Sequence, residues 1–351
     1  MPVPSPLSDH VAVVAGATRG AGRGIARALG EAGAVVYCTG RSVRGAPSPY
    51  NRPETLDDTA DMVTAAGGDG RAVKVDHTDE AQVEALFARV QSERGRLDVL
   101  VDTVAGEDPR YGGWGSFWST DLAQGADVLR HSLLSHLITA KHAAPLMITR
   151  KRGLIVEVVE GDTIYGASSN PLNNVVKAAL KSFACSMAEE LRKHRVAAVA
   201  ITPGFLRSET MLEHFGVTEA NWQDAGKKDP AFLHSESPLF VGRAVAALSA
   251  DPKILDRSGN ILSSWELARE YGFTDVDGRV PDWGTHFGPL AKAFGMLDMF
   301  KRHAAFLDRM HARMQRYLDS ADAAPAPAPS RKGARSKRAE PDGTTTSRAS
   351  V

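Results

Sequence analysis

Short runs of apolar residues alternate with helical patterns along residues 11–264, and this alternation constrains the fold most strongly. Because the runs are apolar throughout rather than at every second residue, both faces of each strand should be covered. Strand, helix and strand in repetition predict a parallel sheet with right-handed crossovers, a doubly wound α/β fold. The runs that predict strands are VAVVAG (11–16), AVVYCTG (34–40), RAVKVD (71–76), LDVLVDTVAG (97–106), GLIVEVVE (153–160), VAAVAITPG (196–204) and NILSS (260–264).

The length and the net charge of the chain limit the classes of protein to which it can belong. A chain of 351 residues can bury one large core with an appendage. Its 42 basic and 42 acidic residues give zero formal net charge, so nothing global indicates nucleic acid or an anionic membrane. No apolar run reaches the roughly 18 residues of a membrane span. We expect Cys38 and Cys185 to be reduced core thiols of a cytoplasmic protein.

Composition divides the chain into four segments. A short lead (1–9) precedes the predicted sheet domain (10–264), and a C-terminal extension with a helical pattern follows (265–320). The tail (321–351) reads APAPAP, RKGARSKR and TTTSRAS, which cannot bury a core, so we expect it to be disordered. Its basic cluster leaves nucleic-acid contact open, but a solvated tail is favoured. The helical stripe of the extension comprises Phe300, Leu307, Met310, Met314 and Leu318.

The first predicted strand leads into a glycine-rich turn and an amphipathic helix, VAVVAGATRGAGRGIARALGEAGA. Gly16, Gly20 and Gly22 lack side chains, so the backbone can approach a pyrophosphate at the positive helix N-terminus. The strand before the glycines and the helix after them are the context that this motif requires. The stretch predicts a dinucleotide site, and a purely structural turn is the alternative.

The spacing G-x-x-x-G-x-G resembles the short-chain dehydrogenase/reductase family, and the resemblance extends from about residue 8 to about residue 264. The family has an aspartate near the adenine ring, a strand ending NNAG, and a P-G-x-x-x-T segment over the nicotinamide. The resemblance implies a single Rossmann-type domain of about seven strands, an oxidoreductase of small molecules, and a homo-oligomer. The positions that match these family contacts are Asp76, Ala105, Gly106, Pro203, Gly204 and Ser208.

The end of the second predicted strand indicates which nucleotide binds. An NAD site would place an acidic residue there to hold the ribose 2′-hydroxyl. The strand instead ends VYCTGRS, with Arg41 and Ser42, and Arg19 of the glycine loop offers a second guanidinium. Because a guanidinium matches phosphate oxygens bidentately, these residues predict NADP(H). Two solvated surface arginines are the alternative.

The stretch NPLNNVVKAAL (170–180) departs from the family at its catalytic centre. In the family a tyrosine transfers the carbonyl-oxygen proton, a lysine tunes it and holds the nicotinamide ribose, a serine positions the carbonyl, and an asparagine completes a proton relay. The resemblance keeps the lysine as Lys177. It places Asn173 at the tyrosine, Glu160 at the serine and Ser132 at the relay asparagine.

A primary amide is not an acid near neutral pH, so hydride transfer would need another proton donor than Asn173. Glu160 is the first candidate, because a carboxyl beside nicotinamide in an apolar site has a raised pKa. Tyr165, the only tyrosine between the fifth strand and Lys177, is the second. The sequence predicts an NADP(H)-dependent oxidoreductase acting on a carbonyl, hydroxyl or related unsaturated bond, with non-standard proton donation. The alternatives are a non-redox nucleotide-binding scaffold, and a lyase or cyclase.

Two segments at the predicted carboxyl edge of the sheet favour an apolar substrate. GEDPRYGGWGSFWSTDL is rich in aromatic residues, for which a subunit contact is the alternative, and FLRSETMLEHFGVTEANWQ occupies the region that closes over substrate in the family. The aromatic residues of the first segment are Tyr111, Trp114, Phe117 and Trp118. The candidates for an apolar wall in the second are Met211, Leu212, Phe215 and Trp222.

Overall fold

The computed structural model describes residues 5–46, 52–104, 117–119, 121–161 and 171–286, with five further positions between 309 and 316. The chain divides into two compact units, Met1–Leu290 and Ala291–Val351. All the helices and strands named below belong to the first unit. The predicted stripe of the extension and the predicted disordered tail lie outside the described residues.

Within the described ranges, seven strands form one parallel sheet in the order β3-β2-β1-β4-β5-β6-β7. The winding reverses between β1 and β4, which is the point where ligands bind in doubly wound sheets. Each predicted run overlaps a strand, although β3 begins two residues before its run, and the predicted fold class is confirmed. The strands are β1 Val11–Ala15, β2 Val35–Gly40, β3 Asp69–Lys74, β4 Val99–Asp102, β5 Gly153–Val158, β6 Val196–Thr202 and β7 Ile261–Ser263.

Helices cover both faces of the sheet. The helices that connect the strands are α1 Gly20–Glu31, α2 Leu56–Ala65, α3 Glu80–Arg94, α4 Leu122–Leu129, α5 Ser135–Arg150, α6 Pro171–Leu191, α7 Glu209–Phe215 and α8 Pro238–Ala250. A π-helical turn, Arg130–Leu134, joins α4 to α5. The helix α9 Ser264–Tyr271 follows β7, and its Trp265 is buried. None of the helices in the described ranges is long and apolar enough to span a bilayer.

The apolar strands are buried on both faces, as the sequence predicts. Val14 of β1 packs in one core with residues of α1, α2 and α8, while its neighbour Val13 packs in a second core with residues of α3 and α5. Full burial of one such side chain contributes about 1.5–3 kcal/mol, so the two cores hold the sheet rigidly. The site at the carboxyl edge therefore rests on a fixed platform.

The two cysteines differ from the prediction of two core thiols. Both are free thiols, and Cys38 of β2 is buried as expected. Cys185 is exposed, although its neighbour Ala184 on α6 is buried. Its Sγ donates to the carbonyl of Gly259 at 3.2 Å.

Candidate active site at the carboxyl edge of the sheet

The glycine loop follows β1 and packs tightly onto the neighbouring strand β4. Gly16 and Gly20 have positive φ angles of 82° and 55°, where side chains are disfavoured. A Cβ on Gly16 would lie 2.7 Å from Thr103 Oγ1, and one on Gly22 would lie 2.3 Å from the Gly16 carbonyl oxygen. The glycines are therefore required by the close packing of the loop itself, in which Gly16 N–H and Ala17 N–H donate to the Thr39 carbonyl at 2.9 and 3.0 Å.

A carboxylate accepts a hydrogen bond from one backbone amide of the glycine loop. The N–H of Gly20, at the N-terminus of α1, donates to Glu209 Oε2 at 2.8 Å, and Arg23 Nη1 lies 3.5 Å from Glu209 Oε1. Glu209 belongs to α7, far along the chain, so its carboxylate stands in for an external anion at the glycine loop. A site that binds this carboxylate through a helix N-terminus and a guanidinium fits a dinucleotide phosphate.

Arg41 and Ser42 lie directly after β2, next to Asp76. Arg41 is partly buried, and the carbonyl of the buried Ser42 accepts from Leu56 N–H at 2.9 Å, which fixes the turn. Asp76 accepts from the N–H and hydroxyl of Thr78 at 2.9 and 2.8 Å. Burial alone raises the pKa of Asp76, but these hydrogen bonds and the charge of Arg41 outweigh it and lower the pKa. The end of β2 thus places one cation, Arg41, near the carboxylate of Asp76, whose ionised form is stabilised.

Arg19 faces a carboxylate across the same loop. Its Nη1 lies 3.7 Å from Glu54 Oε2, and Glu54 also accepts from Arg52 at 2.8 Å. Arg52 in turn donates to Glu213 of α7 at 2.8 Å. A phosphate bound near Arg19 would share this guanidinium with Glu54.

The Pro203–Gly204 turn follows β6 and is held by a buried acid that the sequence did not single out. Gly204 N–H donates to Glu236 Oε2 at 2.9 Å, and Ser264 Oγ donates to the same oxygen at 2.6 Å. Burial raises the pKa of Glu236 to about 8, although both hydrogen bonds act against this rise. The turn proposed to cover the nicotinamide is therefore fixed by a carboxyl that titrates near neutral pH.

Ser208 is the N-cap residue of the helix α7, and its side chain does not face solvent. It is buried, and its Oγ accepts from Met211 N–H at 3.3 Å, which is an N-cap contact. Phe215 and Trp222 are buried in a small cluster around Phe232, so they do not form the open apolar wall that the sequence predicts. These aromatic rings pack against one another. Their burial stabilises the segment around α7, which is a helix of only seven residues.

Asn173, Glu160 and Lys177 come together between β5 and α6. Asn173 Nδ2 donates to Glu160 Oε2 at 2.8 Å. Burial lowers the pKa of Lys177, while the carboxylates of Glu160 and then Glu157 act in the opposite direction. The residues that the resemblance assigns to the serine and tyrosine positions are thus in contact, and Lys177, at the lysine position, lies within electrostatic range of Glu160.

Ser132 lies in the π-helical turn, a geometry that occurs often at functional sites. Its side chain is 1% exposed, and its Oγ has no hydrogen-bond partner within the described residues. Trp118 of the aromatic loop is 77% exposed, and nothing is described of the Phe117 side chain. Other predicted site residues lie outside the described ranges, namely Ala105, Gly106, Tyr111, Trp114 and Tyr165.

Sequence reasoning missed a buried cluster of two acids and a histidine. Asp102 of β4 and Glu157 of β5 are paired across the strands, and both side chains are 0% exposed. His136 of α5 lies between them, with Nδ1 2.5 Å from Glu157 Oε2 and Nε2 3.4 Å from Asp102 Oδ1. Its Nε2 also lies 2.8 Å from the Val104 carbonyl oxygen. The signal was available, because each acid interrupts an otherwise apolar run, VLVD and GLIVEV.

The fold and the edge site define a Rossmann-type nucleotide-binding protein. The family model for short chain dehydrogenase matches residues 10–216. The chain therefore belongs to the short-chain dehydrogenase family, whose members are oxidoreductases that use nicotinamide dinucleotides.

Individual relatives cover most of the chain. The mouse and human proteins named dehydrogenase/reductase SDR family member 1 are 38% and 37% identical to it over 280 residues, which are 78% of this chain and 86% of each relative. A solved structure of a metagenomic short-chain oxidoreductase in complex with NADP is 26% identical with a TM-score of 0.56, covering 74% of this chain and 96% of that one. These relatives extend the similarity beyond the glycine loop to the catalytic half of the sheet.

Proposed function

We propose that the protein is an NADP(H)-dependent oxidoreductase that interconverts a carbonyl and a hydroxyl, or reduces a related unsaturated bond, in a small molecule. Glu160 is the proposed proton donor. The observation that supports this assignment is the Asn173–Glu160 hydrogen bond of 2.8 Å beside Lys177. It gives the site an oriented acid at the edge of the sheet where the family performs its chemistry.

The proposed cofactor site uses the glycine loop for the pyrophosphate, and Arg41, Ser42 and Arg19 for the 2′-phosphate. Its fit rests on the anion that Gly20 and Arg23 already bind, the carboxylate of Glu209. The dinucleotide would supply the hydride for reduction or accept it in the reverse direction. The solved metagenomic relative bound to NADP supports the choice of NADP(H).

The protein's own side chains would manage the proton. Asn173 binds one carboxylate oxygen of Glu160 and fixes its orientation, and Lys177 offers a cation that stabilises the carboxylate after it has given its proton. Lys177 would also bind the nicotinamide ribose, as the resemblance implies. Tyr165 is the second candidate donor. Homo-oligomer formation and a cytoplasmic location stay predictions from the sequence.

The test has a binding stage and a turnover stage. NADPH and NADH affinities are compared by fluorescence titration, and the parent protein is then screened for NADPH oxidation with a panel of apolar ketones and enones. We expect NADPH to bind more tightly than NADH, and we expect the protein to turn over at least one carbonyl compound. Equal affinity for both nucleotides contradicts the cofactor assignment. Tight NADPH binding without any turnover favours a non-redox scaffold, and substrate loss without NADPH oxidation favours a lyase or cyclase.

A further inference from the structure

A second cavity site lies at the amino edge of the sheet, opposite the candidate active site. Its volume is about 420 Å³, within the range of about 300–1,000 Å³ that is typical of small-molecule pockets. The residues just before β1, β4 and β6, the start of β5 and the end of α8 line this amino-edge pocket. The strands between the two edges have four to seven residues. The two sites are therefore roughly 13–23 Å apart.

Three basic side chains line the amino-edge pocket without an acidic partner. Lys151, Arg152 and Arg195 are exposed, and none of them forms an ion pair with a carboxylate of the described residues. Arg152 Nη2 donates to His10 Nε2 at 3.0 Å, so His10 accepts and is neutral in this contact. The contact holds the guanidinium in place but leaves its positive charge uncompensated.

The two acids that line the pocket are bound by other groups. Asp98 is buried and accepts from Arg96 Nε and Nη2 at 2.7 and 2.6 Å. Asp251 accepts from the Tyr271 hydroxyl at 2.6 Å and from Arg257 Nε at 3.2 Å. Because Arg96 and Arg257 already balance these carboxylates, the three unpaired cations set the charge of the pocket.

Two of these cations occupy backbone positions that favour glycine. Lys151 follows α5 with a φ of 53°, and Arg195 follows the short 3₁₀ turn Arg192–His194 with a φ of 57°. They are the two non-glycine residues with positive φ in the part of the chain that the structure describes. Glycine adopts this conformation without steric cost and commonly follows the last residue of a helix. The alternative role of the two cations is to offset the partial negative charge at the helix ends.

The remaining wall of the pocket is largely apolar. Leu154 and Leu248 are buried beneath it, and Ile254 and Leu255 are partly buried at its side. Inorganic phosphate would contact the cations but would leave this apolar surface in water. An organic anion with a short aliphatic chain would use both, because its head group pairs with the cations and its chain covers the apolar wall.

We propose that the amino-edge pocket binds an amphiphilic organic anion. Its carboxylate or phosphate head contacts Lys151, Arg152 and Arg195, and its aliphatic chain packs against Leu154 and Leu248. This ligand site is separate from the dinucleotide site, which lies at the opposite edge of the sheet. It does not depend on the reaction that the active site performs.

Isothermal titration calorimetry of the full chain tests the ligand class. Octanoate and octyl phosphate are the probes, octanol is the control without a charge, and inorganic phosphate is the control without a chain. We expect at least one probe to bind with a dissociation constant on the order of 1 mM or tighter, as suits a ligand of this size. The tighter of the two probes identifies the head group. The proposal is overturned if neither probe binds, or if either control binds as tightly as its probe.

The same titration with saturating NADPH locates the probe. Because the glycine loop is another anion site, competition with NADPH would place the probe at the carboxyl edge and would overturn the proposal. We expect the probe to bind with the same dissociation constant whether NADPH is present or absent.

Arg195→Gln tests the cationic wall. It removes the charge and keeps most of the side-chain length, so the affinity for the probe should fall about 5-fold or more. Lys193→Gln is the matched control, since Lys193 is exposed on the same turn but does not line the pocket. The control should keep the parent's affinity, because a solvated charge is screened by salt. An unchanged affinity in Arg195→Gln, or an equal loss in the control, overturns the proposal.

Arg195→Gly separates ligand binding from a role in ending the helix. Glycine adopts the backbone angles of this position without strain, so the variant should unfold in urea close to the parent's midpoint. Its affinity for the probe should nevertheless fall as far as that of Arg195→Gln. A variant that is less stable than the parent but binds the probe equally well would show that Arg195 serves the helix end, and would overturn the proposal.

Discussion

The cofactor region around β1–β3 and the catalytic region around β4–β6 share one edge of the sheet but are built differently. In the cofactor region the charged groups form pairs at the surface or partly buried, such as Arg19 with Glu54 at 3.7 Å. In the catalytic region Asp102 and Glu157 are 0% exposed and contact a buried histidine. The first region presents a backbone amide and cations to an anion, while the second encloses titratable side chains away from water.

This difference explains why the cofactor region keeps the sequence pattern of the family while the catalytic region departs from it. A phosphate site depends on backbone shape and on positive charge, so the glycine pattern survives and is easily recognised. A proton-transfer site depends on pKa values set by burial and neighbours. Replacement of the tyrosine by Asn173 is therefore compatible with chemistry only if another group supplies the proton, and Glu160 is the group that we propose for this role.

The largest expected effect comes from the proposed donor. Glu160→Gln keeps the side-chain shape but removes the acid, so kcat for carbonyl reduction should fall about 10²-fold or more. Asn173→Ala should reduce kcat only modestly, because it removes orientation and no proton. Steady-state kinetics with saturating NADPH measure both. A Glu160→Gln variant with near-normal kcat, beside an inactive Asn173→Ala variant, would reverse these roles.

A smaller effect is expected in the cofactor region. Arg41→Asp should weaken NADPH binding by about 1–3 kcal/mol and should leave NADH binding unchanged or improved, since the carboxylate repels a 2′-phosphate. Fluorescence titration with both nucleotides measures the preference. Arg44→Asp is the control, because Arg44 is exposed and already paired with Asp58 and Asp61. Equal losses in the two variants would show a general charge effect only.

The pH dependence of stability should originate in the catalytic region. The pKa of Glu236 is raised from an ordinary 4.5 to about 8, so the folded state holds a proton that the unfolded state releases between these values. Its stabilising contribution is complete below about pH 4.5 and is lost as pH rises through about 8.

Glu236→Gln cannot titrate, so it should flatten the fall in unfolding free energy across this window, which is at most about 1.4 kcal/mol per pH unit. Urea unfolding at several pH values measures the slope. A variant with the parent's slope would show that other groups control it. Glu54→Gln in the cofactor region provides the contrast, because the pKa of Glu54 is lowered and not raised.

The smallest effect concerns the contact that joins the two regions. Glu209→Gln removes a carboxylate that competes with phosphate at Gly20 N–H, so NADPH should bind tighter by about 1 kcal/mol. Glu213→Gln on the same helix is the matched control, since Glu213 contacts Arg52 and not the glycine loop. Weaker NADPH binding in Glu209→Gln would mean that Glu209 supports the bound cofactor rather than competing with it.

The sequence alone determined the class of fold, which is a doubly wound parallel sheet. It also determined the glycine loop and the residues at the end of β2. These features are local, because apolar runs, turn glycines and a missing carboxylate are each set by a few neighbouring residues. It also placed Asn173, Glu160 and Lys177 in one site by resemblance. Local patterns failed for Cys185 and for Phe215 and Trp222, whose exposure depends on how a helix face meets its surroundings.

Only the tertiary structure decided which charged groups meet. Glu209 reaches Gly20 across 189 residues of chain, and His136 reaches Glu157 from a helix on the face of the sheet. The sequence shows that two strands contain an acid, but their register decides that Asp102 and Glu157 are neighbours. Proton affinities follow from burial and from distances between side chains that are remote in sequence, and packing alone fixes those distances.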